Sequence, residues 1–236
     1  MDKLRVLAVG AHPDDLELLC GGTLARYAEL GHQVVMVHLL NGDKGHYKLS
    51  SYEVAKTRAA EAQAAGAVIG AEVLTLGIPD CELVADLATR RRVIDLIRQV
   101  RPDVVITHAP NDYMADHTAA SRLVCDATFF STVPLLATQH KPNDKVAPVF
   151  FMDTVAGVDF LPTEYVDITG CFETKRQMLS CHRSQLAYLA EHDKIDFLEF
   201  MEAINRFRGL QCGVRYAEAF RQYEAWARKA PRRLLP

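Results

Sequence analysis

A histidine and two aspartates stand together near the N-terminus, in the stretch His12-Pro13-Asp14-Asp15. A short valine-rich run precedes the stretch and predicts a buried strand, and a helical pattern follows it. Acidic residues are favoured where a helix begins, because its free N–H groups and its dipole attract negative charge. That preference accounts for Asp14 and Asp15 but not for His12. An imidazole beside two carboxylates instead indicates a metal site with a spare carboxylate that acts as a base.

A second polar stretch, residues 108–117, follows another predicted strand and ends in Asp116-His117. In a doubly wound sheet the first and fourth strands lie side by side, and ligands bind beyond their carboxyl ends. We therefore expect His12, Asp15 and His117 to meet, although they are roughly a hundred residues apart in the chain. Two imidazoles and one carboxylate suit a catalytic zinc ion, with a fourth position left to water.

The same residues indicate a reaction class. Zinc would lower the pKa of a coordinated water to about 7, and Asp14 would take its proton as a general base. Asp116 is expected to hold an imidazole in its working tautomer. Such a site fits hydrolysis of an amide or an ester through a tetrahedral intermediate. We expect one Zn²⁺ per chain, although a His/His/Asp site also accepts Fe²⁺ or another divalent ion.

Composition argues against several other classes of protein. A formal net charge of -3 disfavours a general nucleic-acid binder. The six cysteines form no C-x-x-C pair, which is typical of reduced thiols in a cytoplasmic protein. No apolar stretch is long enough to cross a membrane. The turn at Gly10 does not match G-x-G-x-x-G, so a nucleotide-binding oxidoreductase is the weaker alternative.

Strands that alternate with helices predict a Rossmann-like three-layer α/β fold with a mostly parallel, doubly wound sheet, as one domain over residues 1–236. The predicted strands cover 4–10, 33–40, 73–76, 104–107, 149–152 and 165–168, and the predicted helices cover 15–30, 51–66, 85–100 and 118–130. From residue 171 the pattern is helical almost to the end, with a break at 209–213 and a frayed tail over 231–236.

Two further features need a structural explanation. Gly21 and Gly22 stand inside the first predicted helix, where each glycine costs about 1 kcal/mol relative to alanine. Either a close approach of another element or a break in the helix would justify them. Loops 41–50 and 134–148 are expected to shape the substrate pocket.

The motifs resemble those of the LmbE-like, or PIG-L, family of zinc N-deacetylases. The match comprises residues 12–15, the sequence CGGTLA at 20–25, and Asp116-His117, with further matches at 58–61, 182–185 and 217–220. The resemblance implies removal of the acetyl group from an N-acetylglucosamine-type sugar in a glycolipid, a thiol precursor or an antibiotic. It also implies a small-molecule partner and frequent self-association.

Carried over by position, the resemblance makes His12, Asp15 and His117 the zinc ligands and Asp14 the base. It makes Arg58 a substrate contact.

The sequence departs from the family at Leu16, where a glutamate is common, and at Met114. The family has a histidine at the position of Met114 that stabilises the oxyanion or donates a proton, and a thioether can do neither.

We therefore consider zinc itself, Tyr113, His108 and His182 as replacements for that histidine, with the three side chains as candidate substrate contacts. His182 is alternatively a structural histidine whose hydrogen bonds are satisfied within the protein. Asp112 is interpreted either as a loop residue in the substrate pocket or as a partner of a ligand.

Two functional alternatives stay open at this stage. One is a metal-dependent amidase for another amide, such as a thiol-sugar conjugate. The other is a metal- or carbohydrate-binding protein without turnover, which the departure at Met114 makes conceivable.

Overall fold

The computed structural model describes residues 3–226, 228–229 and 233–236. Its strands are β1 (Arg5–Gly10), β2 (Gln33–Leu40), β3 (Glu72–Ile78), β4 (Val104–Thr107), β5 (Val149–Met152), β6 (Glu164–Asp167) and β7 (Ala217–Gln222). They form one seven-stranded sheet in the order β3-β2-β1-β4-β5-β7-β6. The first five strands are parallel, and β7 runs antiparallel to both β5 and β6.

Helices cover both faces of the sheet, which confirms the Rossmann-like three-layer prediction. They are α1 (Asp15–Glu29), α2 (Ser51–Val68), α3 (Leu87–Val100), α4 (Ala115–Phe130), α5 (Phe172–Ser180), α6 (Arg183–His192) and α7 (Phe197–Cys212). Successive residues of β1 point to opposite faces, so Val6 lies in the core beneath α1 and Leu7 lies in the core beneath α3 and α4. None of the helices in the described part of the chain is long and apolar enough to span a membrane.

The sheet order places the two polar stretches together. Strands β1 and β4 are neighbours, and Val9 pairs with Thr107 near their carboxyl ends. Helix α1 begins at Asp15 and α4 begins at Ala115, each a few residues beyond its strand. The turn that holds His12 therefore faces the first turn of α4, which holds His117, at the same edge of the sheet.

The C-terminal third differs from its predicted helical pattern. Gly213 adopts a left-handed conformation (φ 79°) that ends α7, and the chain then returns through the sheet as β7. Because both faces of the sheet are covered here, the first four residues of β7 are buried and show no alternation. The tail is docked where it is described, since Leu235 is buried and the Tyr27 hydroxyl donates to the carbonyl of Leu234. Residues 231 and 232 of the predicted frayed tail lie outside the described residues.

A close approach, and not a break, explains the paired glycines of α1. The helix continues through both of them, and a Cβ on Gly22 would lie 2.8 Å from Cδ1 of Ile168. The N–H groups of Gly22 and Thr23 donate to the buried Glu218 carboxylate at 2.8 and 2.7 Å. Lys175 completes that contact as the buried ionic partner of Glu218. The glycines thus let α1 lie directly against the C-terminal part of the chain.

Loop 134–148 does not line the candidate site, which corrects our expectation. The buried guanidinium of Arg98 donates to the carbonyls of Ser131 and Val133 at 2.9 and 2.8 Å and holds the start of this segment against α3. Near its end, Lys145 pairs with Asp103, which directly precedes β4. A helix-to-strand connection must return to the amino end of a parallel sheet, so this loop lies at the edge opposite the site.

Candidate metal centre and active site

The turn between β1 and α1 has a constrained backbone. Asp14 has a φ of 113°, a left-handed value that costs a residue with a side chain on the order of 1–3 kcal/mol. The carboxylate of Asp15 points back into the turn, and its Oδ2 accepts a hydrogen bond from the His12 N–H at 2.6 Å. This local bond orients His12 and Asp15 toward the same space.

The ligand atoms of His12, Asp15 and His117 all lie within 4.8 Å of one another. Oδ1 of Asp15 is 3.3 Å from Nε2 of His117, and Oδ2 is 3.4 Å from Nδ1 of His12. Nε2 of His117 is buried and, although it lies close to Asp15, makes no hydrogen bond of regular geometry. A buried nitrogen that lacks a donor or acceptor is costly unless a ligand uses it, and this donor set suits a zinc ion.

Each imidazole of this set has its own aspartate. Nδ1 of His117 is 2.9 Å from Oδ2 of Asp112, which leaves Nε2 free for a cation. Oδ2 of Asp116 is 3.3 Å from Nε2 of His12 and accepts a bond from the N–H of Cys81 at 3.2 Å. Asp116 thus contacts an imidazole, that of His12, as expected. Asp112 contacts the imidazole of His117 and does not face an open pocket.

The electrostatics of His117 favour positive charge at its position. Burial disfavours the charged ring, but the carboxylates of Asp15 and Asp112 outweigh burial and raise the pKa of His117 to about 9. A proton and a metal cation compete for the same nitrogen lone pair. The same carboxylates that hold a proton on His117 would therefore stabilise a divalent cation in its place.

Asp14 points to the other side of the turn and pairs with Arg58. Nη2 of Arg58 lies 3.2 Å from Oδ2 of Asp14, and the guanidinium also donates to the carbonyls of Pro13 and Gly42. Burial raises the pKa of Asp14 to about 6, and Arg58 opposes that shift. Because Arg58 is only 3% exposed, its geometry favours holding Asp14 over the predicted contact with a substrate.

Loop 41–50, which we expected near the pocket, lies over Arg58. Gly42 has a φ of 74°, and a Cβ there would lie 2.6 Å from Cδ of Arg58. Its N–H donates to Oδ1 of Asp80 at 2.8 Å. Only a residue without a side chain lets the loop close over the guanidinium in this way.

The three side chains considered as replacements for the family histidine lie in different surroundings. His108 is fully buried, accepts the N–H of Ala11 at 2.9 Å and stacks on His117 at 3.9 Å between ring centroids. Burial and the neighbouring His117 lower the pKa of His108 to about 4. His182 is also fully buried, with Nε2 3.2 Å from Oε1 of Glu17. Only Tyr113, at 59% exposed, has a side chain that reaches solvent.

Sequence reasoning missed two acidic residues of the site. Asp80 follows β3, and its Oδ2 lies 3.9 Å from Nη1 of Arg58. The rule that polar residues collect at the carboxyl ends of parallel strands would have found it. Glu17 is fully buried in α1 beside His182. The sequence could have revealed Glu17, because it is an ionisable residue on the predicted buried face of a helix. Such residues are almost never fully buried without a partner.

The fold and site together define an α/β protein with a candidate His/Asp metal centre at the carboxyl edge of a parallel sheet. Residues 7–128, just over half of the chain, match the GlcNAc-PI de-N-acetylase (PIG-L) family, and the chain belongs to that family.

Individual relatives include more than one kind of enzyme. The chain is 27% identical to diacetylchitobiose deacetylase of Thermococcus kodakarensis, over 93% of this chain and 83% of that protein. It is 29% identical to 4-oxalmesaconate hydratase of Pseudomonas putida, over 76% of this chain and 73% of that protein. Its structure is similar to that of N,N'-diacetylchitobiose deacetylase from Pyrococcus horikoshii, with a TM-score of 0.83, 27% identity, and coverage of 94% and 84%. These relatives thus include deacetylases and a hydratase.

Proposed function

We propose that this protein is a metal-dependent hydrolase that removes the N-acetyl group from an N-acetylglucosamine-type sugar or sugar conjugate. The observation that carries the proposal is the convergence of three ligand atoms within 4.8 Å, with a separate buried carboxylate, Asp14, in the same turn. The two deacetylase relatives support the choice of an acetamide as the substrate group.

In the proposed mechanism, His12, Asp15 and His117 hold the cation and Asp14 moves the proton. Zinc at this position would polarise the amide carbonyl and acidify a water molecule. Asp14 accepts a proton from water as the water oxygen forms its bond to the carbonyl carbon. The carbon–nitrogen bond then breaks, and Asp14 returns the proton to the departing nitrogen, so that acetate and a free amine are released.

Arg58 and the two supporting aspartates act through other residues in this mechanism. Arg58 keeps the Asp14 carboxylate at one position. This increases the reaction rate, because a general base must lie within hydrogen-bond distance of the proton that it accepts. Asp112 and Asp116 fix the ring orientations of His117 and His12. Tyr113 is the exposed side chain we propose to contact the substrate.

The test combines metal analysis of the purified protein with acetate release from a panel of N-acetylated sugars. We expect zinc or another divalent ion to copurify and acetate to appear with at least one sugar. Asp14→Asn should retain the metal and lose turnover by a factor on the order of 10² to 10⁴. Asp144→Asn, a change at an exposed aspartate far from the turn, is the matched control.

Several results would count against the proposal. Full turnover by Asp14→Asn would remove the assigned base. Cleavage of a different amide in a thiol-sugar conjugate, without release of acetate from any sugar, would favour the alternative amidase. Tight metal or sugar binding without release of acetate from any compound would favour a binding protein.

A hydratase is the second candidate, because 4-oxalmesaconate hydratase of Pseudomonas putida is 29% identical to this chain. A base and a Lewis acid also suit addition of water to a carbon–carbon double bond conjugated with a carboxylate. The two candidates give different signals. Hydration removes the ultraviolet absorbance of the conjugated acid, whereas deacetylation releases acetate.

A further inference from the structure

Three aromatic rings form a cluster that the proposed mechanism does not use. The ring of Tyr47, in the loop after β2, lies 5.2 Å from Tyr188 and 5.8 Å from His192, between centroids. Tyr188 and His192 stack on each other with centroids 5.2 Å apart and planes 13° apart. Tyr47 is nevertheless 53% exposed. The cluster is therefore a packed aromatic surface that is open to solvent at Tyr47 and His192.

The same loop joins this cluster to the candidate site. Gly45, two residues before Tyr47, lies so close to Arg58 that an added Cβ would be 3.6 Å from Nη1. That Cβ would also be 2.9 Å from Oε1 of Gln185, which lies on α6 with Tyr188. The loop thus runs from the guanidinium that holds Asp14 directly to the aromatic rings.

Helix α6 is itself fixed in position. Glu61 of α2 accepts hydrogen bonds from the Ser184 N–H at 2.8 Å and from its hydroxyl at 2.6 Å. Arg58 lies on the same helix α2. The helix that carries Tyr188 and His192 is therefore hydrogen-bonded to the helix that carries Arg58.

The sheet order places an exposed tyrosine on each side of the site. Strand β1 carries the turn with His12 and Asp14, and its neighbours are β2 and β4. Tyr47 follows β2, and Tyr113, 59% exposed, follows β4. Tyr47 and Tyr113 are thus exposed rings on the loops that flank the turn with His12 and Asp14.

We propose that Tyr47, packed against Tyr188 and His192, binds the second pyranose ring of an oligosaccharide substrate. This proposal rests on the proposed function. One face of a pyranose carries only C–H bonds, whose positive edges match the negative face of an aromatic ring. The rings are already packed together, so binding loses little side-chain entropy. The subsite makes the protein select a disaccharide or longer sugar over a single N-acetylglucosamine.

The experiment measures binding of N,N'-diacetylchitobiose and of N-acetylglucosamine by titration calorimetry. It uses the wild-type protein, Tyr47→Ala and Tyr188→Ala. We expect the wild type to bind the disaccharide about tenfold more tightly than the monosaccharide, and both variants to lose most of that difference. Tyr52→Ala is the matched control, because Tyr52 is a 77% exposed tyrosine of α2 that stacks on none of the three rings. It should keep the wild-type preference.

Three results overturn the subsite: equal affinity of the wild type for both sugars, binding of neither sugar, or an unchanged preference in Tyr47→Ala. Acetate release, measured on the same samples, tests the proposed function separately. A preference that depends on Tyr47, with no acetate from either sugar, supports the subsite and refutes deacetylation. Acetate release with equal affinities refutes the subsite and supports deacetylation.

Discussion

Asp14 and Arg58 form a buried ion pair, with 3.2 Å between Oδ2 and Nη2. The two residues are far apart in the chain, and only the tertiary fold brings them together. The arginine is buried, and its guanidinium also donates to the carbonyls of Pro13 and Gly42. The pair therefore links the strained turn after β1 to helix α2.

We expect Arg58→Met to lower kcat strongly while KM changes little. The substitution leaves the Asp14 carboxylate buried without its partner, which costs about 3–5 kcal/mol of stability in comparable pairs. Steady-state kinetics on the best substrate and thermal unfolding check both effects. A rise in KM at constant kcat would instead support the substrate contact that the family resemblance implies.

Asp112→Asn should weaken metal binding by tenfold to a hundredfold. The amide still reaches Nδ1 of His117, but it no longer supplies the negative charge that strengthens the imidazole as a ligand. Competition with a chelator measures the affinity, and circular dichroism checks that the fold is kept. Unaltered affinity would show that Asp112 serves only the loop, where its Oδ1 accepts the Met114 N–H.

Met114→His should increase acetate release by a factor on the order of ten to a hundred. The side chain stands at the start of α4, three residues before His117, where an imidazole supplies the donor that a thioether lacks. The comparison is of kcat for one N-acetylated sugar, with Met114→Leu as the control for shape. Equal rates in the two variants would show that another group already performs this task.

His38 should make the protein less stable in mild acid. The ring lies buried in β2, and burial lowers its pKa from 6.5 to about 4. Above pH 6.5 the ring is neutral in both the folded and the unfolded chain, so it adds no pH dependence. Between pH 6.5 and 4 only the unfolded chain takes up the proton, so the free energy of unfolding falls by about 3 kcal/mol.

Denaturant unfolding of the wild type and of His38→Leu between pH 4 and pH 7.5 tests this effect. The variant should lose less stability than the wild type as the pH falls through that window. Parallel curves would show that the acid sensitivity of the protein comes from other groups.

The sequence alone determined most of the local structure around the site. Apolar runs bounded by polar turns predicted β1, β2 and β4 within one residue of their observed ends, because a strand buried on both faces needs uninterrupted apolar side chains. The order of strands and helices predicted that β1 and β4 are neighbours, because few right-handed topologies are possible. The convergence of His12, Asp15 and His117 followed from that topology and from the short spacing within each turn.

Only the tertiary structure decided how the remaining polar groups pair. The sequence predicted that Asp116 holds an imidazole without saying which one, and it left Asp112 as either a loop residue or a partner of a ligand. Three-dimensional geometry places Asp112 beside His117 and Asp116 beside His12. Likewise, no periodicity reveals that Glu218 accepts two N–H groups of α1 or that Arg58 turns inward to Asp14. Side-chain pairing depends on long-range contacts that hydrophobic patterns do not encode, whereas burial and strand order depend on those patterns directly.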